Sequence, residues 1–452
     1  MSERPLNYET PVAPTQAPKG ALLSIFLIVL VDFLGFGLII PLLPFYVPDY
    51  EHNPMKVTLI FSVFSICQFI GAPILGALSD RYGRRPILIL SQLGSAAGYV
   101  LLGVASFPQW DGHTRLVLVY LSRVIDGFTG GNVSTAQAYI SDVTTAANRA
   151  KGMGLLGAAF GIGFCLGPFM GGVLGGYNVS WPAYAAAFFA MLAAGQTYFK
   201  LPESRVHKPT DSKLWLHPSN FAPVLRKPVV TQILLISFVS MAAFVMMEAT
   251  VGIYLAKIYG WGAGMAEEAA RKAAAQKTGW FFGYVGVIII IVQGGMIGRL
   301  TKKVGEWPLA IVGPVLVAIG MGFYVGLAWQ SALLVLGLAG ALNATGRSLQ
   351  GPTLSSLLSK FSDPKEQGVV FGMYHGLSSL ARVAGPIIAG LTYPLWRNTG
   401  PFVTSGVIVL AVAVWTIAVK AQAARHGRET APGFDVIQRQ EAVGRAATTE
   451  IE

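Results

Sequence analysis

The chain has 452 residues, 53% of them hydrophobic and only 12% charged, against about 25% charged in soluble domains. That balance marks an integral membrane protein and argues against a soluble enzyme. The formal net charge of +11 does not point to nucleic acid, because the basic residues are scattered between apolar stretches and form no aromatic-laced patch.

Residues 1–20 form a polar, Pro-rich segment without the basic-then-apolar-then-small pattern of a cleaved signal peptide. The first apolar stretch then serves as an uncleaved signal anchor. About twelve spans follow, each near the ~20 apolar residues that cross the hydrocarbon. They run over 21–47, 55–79, 86–107, 115–140, 150–176 and 180–200, then 229–257, 279–300, 307–330, 331–358, 366–392 and 400–420. A basic, Pro-punctuated linker (201–228) separates the two sets, and FAPVLRKP within it suits the membrane surface. The loop WGAGMAEEAARKAAAQK (261–277) is rich in helix formers and reads as a helical extension outside the membrane. The polar tail 421–452 reads as disordered. Cys67 and Cys165 lie inside spans and read as small buried hydrophobes, with no disulfide framework.

With both termini in the cytoplasm, the inner segments hold about 23 Lys and Arg and the outer ones about 7, as the positive-inside rule requires. The chain also repeats itself. GALSDRYGRRP (76–86) after the second span returns as GRLTKKVGEWP (298–308) after the eighth, and GPFMGG (167–172) returns as GPIIAG (385–390). Two six-span halves, 21–200 and 229–420, with parallel internal symmetry fit a transporter better than a receptor or membrane enzyme.

The loop 76–85 has the pattern G-x-x-x-D-R-x-G-R-R. Gly83 permits the tight reversal between two helices, and Pro86 suits the first turn of the next. Asp80 is placed to face a helix N-terminus and Arg84 to reach a carboxylate such as Asp142 at the end of span four. Arg81 and Arg85 complete the basic loop, and Gly76 opens it. In span five, Gly163, Gly167, Gly171 and Gly175 recur every fourth residue as a smooth stripe that lets helices approach closely; Gly172 lies beside it and Pro168 permits a bend.

Six charges lie inside spans: Asp32, Arg123, Asp126, Glu248, Arg347 and Arg382. An ionised carboxylate at mid-bilayer depth costs at least ~2.5 kcal/mol, so these groups bind a cation or proton, or pair with one another. Arg keeps its proton, whereas Asp and Glu exchange theirs when burial or a neighbouring cation changes. Asp32 and Asp126 are therefore the leading proton-coupling candidates, with Arg123 tuning Asp126 one helical turn away. A static ion-pair network is the alternative. His375, near the cytoplasmic end of span eleven, reads as surface-facing. Phe33, Phe36, Met241, Phe244, Met246, Met247, Phe281, Phe282 and Tyr284 offer an adaptable apolar wall, although lipid-facing residues look alike in sequence. Asn132, Gln137, Asn343 and Gln350 are candidate polar contacts of the substrate cavity, together with Glu248, Arg347 and Arg382.

GALSDRYGRR resembles the loop signature of the major facilitator superfamily. VDFLGFGLIIPLLP (31–44), SRVIDGFTGG (122–131) and GLLGAAFGIGFCLGPFMGG (154–172) are similar to the first-, fourth- and fifth-helix motifs of its twelve-helix drug:proton antiporters. AYISDVTTAANRAKGMG (138–154) and LPES (201–204) resemble the bacterial tetracycline-exporter branch. The resemblance spans about 20–420 and implies an all-α fold of twelve transmembrane helices in two pseudo-symmetric halves. It supports functional roles for Asp32 and Arg123, and places helix five at the interface of the halves, where it governs leakage. The chain departs from the tetracycline pattern at Gly98, where those exporters carry an acid in helix three, and from the loop signature at Lys302, which stands in place of Asp80.

No metal-ligand spacing, phosphate loop, Ser/His/Asp order or cofactor motif occurs, so energy must come from a gradient. The reading is a non-enzymatic monomer in a bacterial inner membrane. It exports a small amphiphilic, drug-like or tetracycline-like molecule in exchange for protons by alternating access, with the bilayer as its other partner. A uniporter or importer of a metabolite on the same fold, and a non-transporting membrane sensor or scaffold, are the rival readings.

Overall fold

A computed structural model describes residues 21–47, 53–144, 146–204, 222–363 and 366–429. The expectations for 1–20, for 205–221 and for 430–452 lie outside these residues. The described chain is helical, in the order α1 (Ala21–Ile39), α2 (Pro54–Tyr82), α3 (Arg84–Ala105), α4 (Gly112–Thr129), α5 (Asn132–Val143), α6 (Ala146–Tyr177), α7 (Trp181–Lys200), α8 (Ala222–Leu225), α9 (Pro228–Ile258), α10 (Glu267–Ile289), α11 (Ile297–Val304), α12 (Glu306–Gly326), α13 (Leu333–Lys360), α14 (Gln367–Thr392) and α15 (Gly400–Glu429).

These pieces make twelve rods among the described residues. α1 tightens into a 3-10 turn at Ile40–Tyr46, where Pro41 and Pro44 remove backbone donors. α4 and α5 form one broken rod. Gly130 and Gly131 interrupt it, and the carbonyls freed there are captured from neighbouring helices: Gln68 donates to the Gly130 oxygen at 3.0 Å and Ser91 to that of Thr129. α10 and α11 are joined through a π-helical stretch, Ile290–Met296, the insertion type that often marks a functional bend. By length and composition alone seven rods among the described residues qualify as membrane spans, and Gly161–Tyr177 of α6 is a shorter apolar helix.

The repeat seen in sequence is a repeat in space. In the first half α1 packs on α6 and α7, α3 on α4 and α7, and α2 on α4. In the second, α9 packs on α14 and α15, α12 on α13 and α15, and α10 on α13. Gly83 (φ +102°) and Gly305 (φ +82°) hold the matching reversals in the left-handed region that favours glycine. The halves meet through α6 against α10 and α2 against α14.

Boundaries differ from the sequence expectation at α10, which begins at Glu267 rather than 279 and so carries the helix formers of 261–277 in one rod with the span, and at α15. α15 runs to Glu429, past the expected end at 420, because Ala421, Ala423 and Ala424 are strong helix formers and Lys420 and Arg425 suit its C-terminal half. The linker is anchored at both described ends: Leu201 is buried, and Val224 of α8 packs into an apolar cluster with Val229 and Val230.

Candidate functional site

The loop motif builds a network on the face that carries most of the basic residues. Arg84 at the start of α3 reaches Asp80 one turn back on α2 at 2.8 Å, Ser79 at 2.7 Å and Asp142 on α5 at 3.1 Å. The first N–H groups of α3 donate to Glu203, from Arg84 at 2.9 Å and from Arg85 at 3.1 Å. Asp80 was the expected acid at that helix start. Glu203 takes the place because the chain after α7 returns directly over Gly83. Arg85 also donates to the carbonyl of Tyr198 and lies over its ring, and Arg81 lies over the ring of Tyr82. The sequence signal for Glu203 was LPES, which the motif alone gave no role.

The second half repeats this clamp with reversed charge. Glu306, first residue of α12, pairs with Lys360 at the end of α13 at 2.6 Å, where the first half sets Arg84 against Asp142. Lys302, at the place of Asp80, is exposed.

The glycine stripe of α6 serves two neighbours. A Cβ on Gly163 would lie 2.6 Å from that of Phe33, and one on Gly167 would lie 2.7 Å from the Gly37 backbone, so this edge seats α1. Gly172 packs on Gly279 of α10, while Phe169 stacks edge-on with Trp280 at 5.2 Å. α6 thus joins its own half to the other. Every one of these cross-half contacts falls toward the end of α6 away from the basic face. Ser62 of α2 donating to Val383 of α14 at 2.9 Å, and Arg271 of α10 donating to Phe45 at 2.7 Å, belong to the same closure. Toward the basic face α11 buries no residue, and a Cβ on Gly76, Gly294, Gly295 or Gly298 would meet nothing. Among the described residues the printed contacts between the halves gather at the end away from the basic face.

Within the first half, Arg123 and Asp126 are each 2% exposed and joined at 3.0 Å. The Arg123 guanidinium lies over the Tyr99 ring at 5.6 Å, and its Nε reaches Ser122 at 3.3 Å. Asp32, half-buried on α1, acts electrostatically on the same Tyr99, as does Asp126. Gly98 of α3 leaves the room for this: a Cβ there would lie 2.9 Å from that of Asp126.

In the second half Glu248, Arg347 and Arg382 lie within electrostatic reach of one another, from α9, α13 and α14. All three are partly exposed. Gln350 and Asn343 share the inner face of α13 with Arg347, but both are buried. Gln350 donates to Ser240 of α9 at 2.9 Å, and Asn343 lies against Met321 of α12. Packing takes up these two amides, so in this conformation they do not line open space. Phe281, Phe282, Met246 and Met247 are likewise core residues, whereas Phe33, Phe36 and Phe244 are half-buried. Gln137 is half-buried on α5; the side chain of Asn132 lies outside the described set. His375 is exposed, with its ring against Tyr374.

Comparison with known proteins identifies the family of the chain. The family model described as Major Facilitator Superfamily matches residues 25–345. The class C tetracycline resistance protein of Escherichia coli is 29% identical over 391 residues, covering 84% of this chain and 91% of that protein. Major facilitator superfamily domain-containing protein 10 of Bos taurus is 28% identical over 434 residues, covering 85% and 89%. Among solved structures, the human organic anion transporter MFSD10 superposes with a TM-score of 0.65 at 25% identity, covering 88% of this chain and 99% of that one.

Proposed function

Because the chain belongs to the Major Facilitator Superfamily and is a multi-pass membrane transporter, we propose that it exports a small amphiphilic molecule in exchange for protons by alternating access. The observation that carries this reading is the buried Arg123–Asp126 pair, a guanidinium and a carboxylate each 2% exposed and joined at 3.0 Å. A carboxyl at this depth binds a proton readily when its cation moves away and releases it when the cation returns. Rocking of the halves is the motion that changes such a pairing.

Asp126 takes the part that the tetracycline exporters give to an acid on helix three. In this chain α3 has Gly98, and the carboxylate enters the same space from α4. The basic face is then cytoplasmic, with both termini on that side of the membrane. The clamp of Arg84 with Asp80 and Asp142 steadies the cytoplasmic ends of α2, α3 and α5 while the halves rock. The named relatives differ in substrate, so their names do not select one for this chain.

Proteoliposomes provide the test. An imposed proton gradient should drive substrate flux in the unmodified protein. Asp32→Asn and Asp126→Asn should abolish gradient-driven accumulation while substrate counterflow, which needs no proton, persists. Gradient-driven flux that survives both substitutions would remove the coupling role.

A further inference from the structure

The second half carries two exposed cations at its end away from the basic face. Lys257 lies in the last turn of α9, and Arg397 in the short 3-10 turn Trp396–Asn398 between α14 and α15. Lys257 donates from its Nζ to the Asn398 Oδ1 at 2.9 Å, which ties both cations to one turn. Trp396, Arg397 and Asn398 have φ of +45°, +58° and +70°, three successive non-glycine residues in a region such residues rarely enter. Among the described residues no carboxylate lies within 4.0 Å of either cation. The acids described on this side are engaged elsewhere: Asp111 caps α4, Glu267 faces Arg115 and Glu268 faces Lys272.

The charge stands at the mouth of a groove. The Arg397 guanidinium lies over the Trp329 ring, 6.0 Å from its centre. Trp329 belongs to the turn that ends α12, where its N–H and that of Gln330 both donate to the Gly326 carbonyl at 3.0 Å. Below that turn an open groove of about 290 Å³ is lined by Ile319, Gly322, Phe323, Gly326, Gln330 and Val335. Gly322 and Gly326 are one helical turn apart on one face of α12, and a Cβ on either would meet nothing. From Ile319 to Gly326 the wall is ~10 Å long, apolar except for Gln330 at its mouth. Trp329 and Trp396 are 68% and 60% exposed, and such rings rest at the headgroup level of a bilayer. The groove therefore lies at acyl-chain depth and the cations at headgroup depth.

We propose that this face is a binding site for one anionic phospholipid, taken from the leaflet opposite the basic face. Its phosphate lies between Arg397 and Lys257, and one acyl chain lies along Gly322 and Gly326. The guanidinium offers a planar fork and the ammonium a compact charge, and both match the free oxygens of a phosphodiester. A zwitterionic lipid brings its own ammonium to a place that already holds two cations, so the site favours a headgroup with net negative charge. A free phosphate has the charge but nothing to fill the groove.

Equilibrium binding of radiolabelled phosphatidylglycerol and phosphatidylcholine with identical acyl chains, to the full-length protein in dodecyl maltoside, tests the site. Phosphatidylglycerol should bind saturably and about tenfold tighter than phosphatidylcholine, a difference of about 1.4 kcal/mol. Arg397→Gln and Lys257→Gln should each weaken phosphatidylglycerol several-fold and leave phosphatidylcholine unchanged. Gly322→Leu and Gly326→Leu fill the groove and should weaken both lipids by about tenfold or more. Leu enters open space there and is a better helix former than Gly, so the melting temperature should not fall, which separates lost binding from lost fold. Glycerol 3-phosphate should not displace the lipid.

Equal affinity for the two lipids, or unchanged phosphatidylglycerol binding in the Arg397 and Lys257 variants, would overturn the proposal. So would full binding in both glycine variants, because the groove would then hold no chain. Displacement by glycerol 3-phosphate would assign the cations to a soluble phosphate instead. Neither a transported substrate nor a proton gradient enters the measurement, so it stands or falls apart from the export reading.

Discussion

Arg271, in the second turn of α10, donates its Nε–H to the carbonyl oxygen of Phe45 at 2.7 Å, across 226 residues of chain. The guanidinium belongs to one half and the carbonyl to the other, and the arginine is only 5% exposed. A hydrogen bond from a charged donor contributes about 1.5–3 kcal/mol, and this one exists only while the halves are closed on that face. Arg271→Gln should therefore shift the resting equilibrium toward the form open on that face by about tenfold or more. Cys165 reports it, since its sulfur packs against Gly286 of α10 in the closed interface. In a Cys67→Ser background, maleimide should alkylate Cys165 faster in the Arg271→Gln variant. An unchanged rate removes the latch.

The two edges of α6 should separate defects of state from defects of fold. Gly172 meets Gly279 across the halves, while Gly163 meets Phe33 within one half. Gly172→Val should block closure and depress substrate counterflow by about tenfold or more at near-normal melting temperature, for an overpacking strain of about 1–3 kcal/mol. Gly163→Val should lower the melting temperature itself. Fluorescence-monitored melting beside counterflow distinguishes them, and identical behaviour of the two variants contradicts the division.

Gly83→Ala places a side chain at φ +102° and its Cβ 2.5 Å from the Glu203 carboxylate. The backbone alone costs about 1–2 kcal/mol. Glu203 cannot step aside freely, because it accepts the N–H groups of Arg84 and Arg85. The melting temperature should fall for Gly83→Ala and for Glu203→Ala, and the double variant should lose less than the sum. Strict additivity would place the strain elsewhere.

Lys227, which precedes α9, reaches Glu366 at 2.7 Å and Asp363 at 2.9 Å. The hydrogen bonds it donates to Glu366, and then to Asp363, hold its ammonium above the ordinary lysine range. A raised folded-state value gives stability that is complete below the unfolded lysine pKa of about 10.4 and is lost as pH rises through the folded one. The melting-temperature difference between the protein and Lys227→Met should be constant from neutral pH to about 10 and should shrink above about 10.4. A difference that persists at still higher pH removes the ion cluster as its cause.

Much of this was legible in the residues. The Gly83 reversal and the α6 glycine edge follow from short spacings within the chain, where helical period and backbone freedom act directly, and the reach of Arg84 to Asp142 across 58 residues was legible from the loop motif and its complementary charge. Glu203 was not legible, because its partners at Arg84 and Arg85 lie more than a hundred residues back and only packing of α7 beside α3 brings them together. Asn343 and Gln350 looked available on the same face as Arg347. Whether a polar side chain on an inner face meets open space or another helix depends on the neighbouring rod, and α9 and α12 happen to supply Ser240 and Met321.

By itself the sequence determined the membrane environment, the twelve rods and their twofold repetition, because apolar length and glycine punctuation are local quantities that the bilayer reads without reference to the rest of the chain. Tertiary structure decided which buried charges hold one another and which stand apart. Arg123 is closed upon Asp126 at 3.0 Å, whereas Arg347 and Arg382 share Glu248 at longer range. The reason is that charge pairing falls off over a few ångströms, and distances between rods are set by how neighbouring side chains fill the space between them.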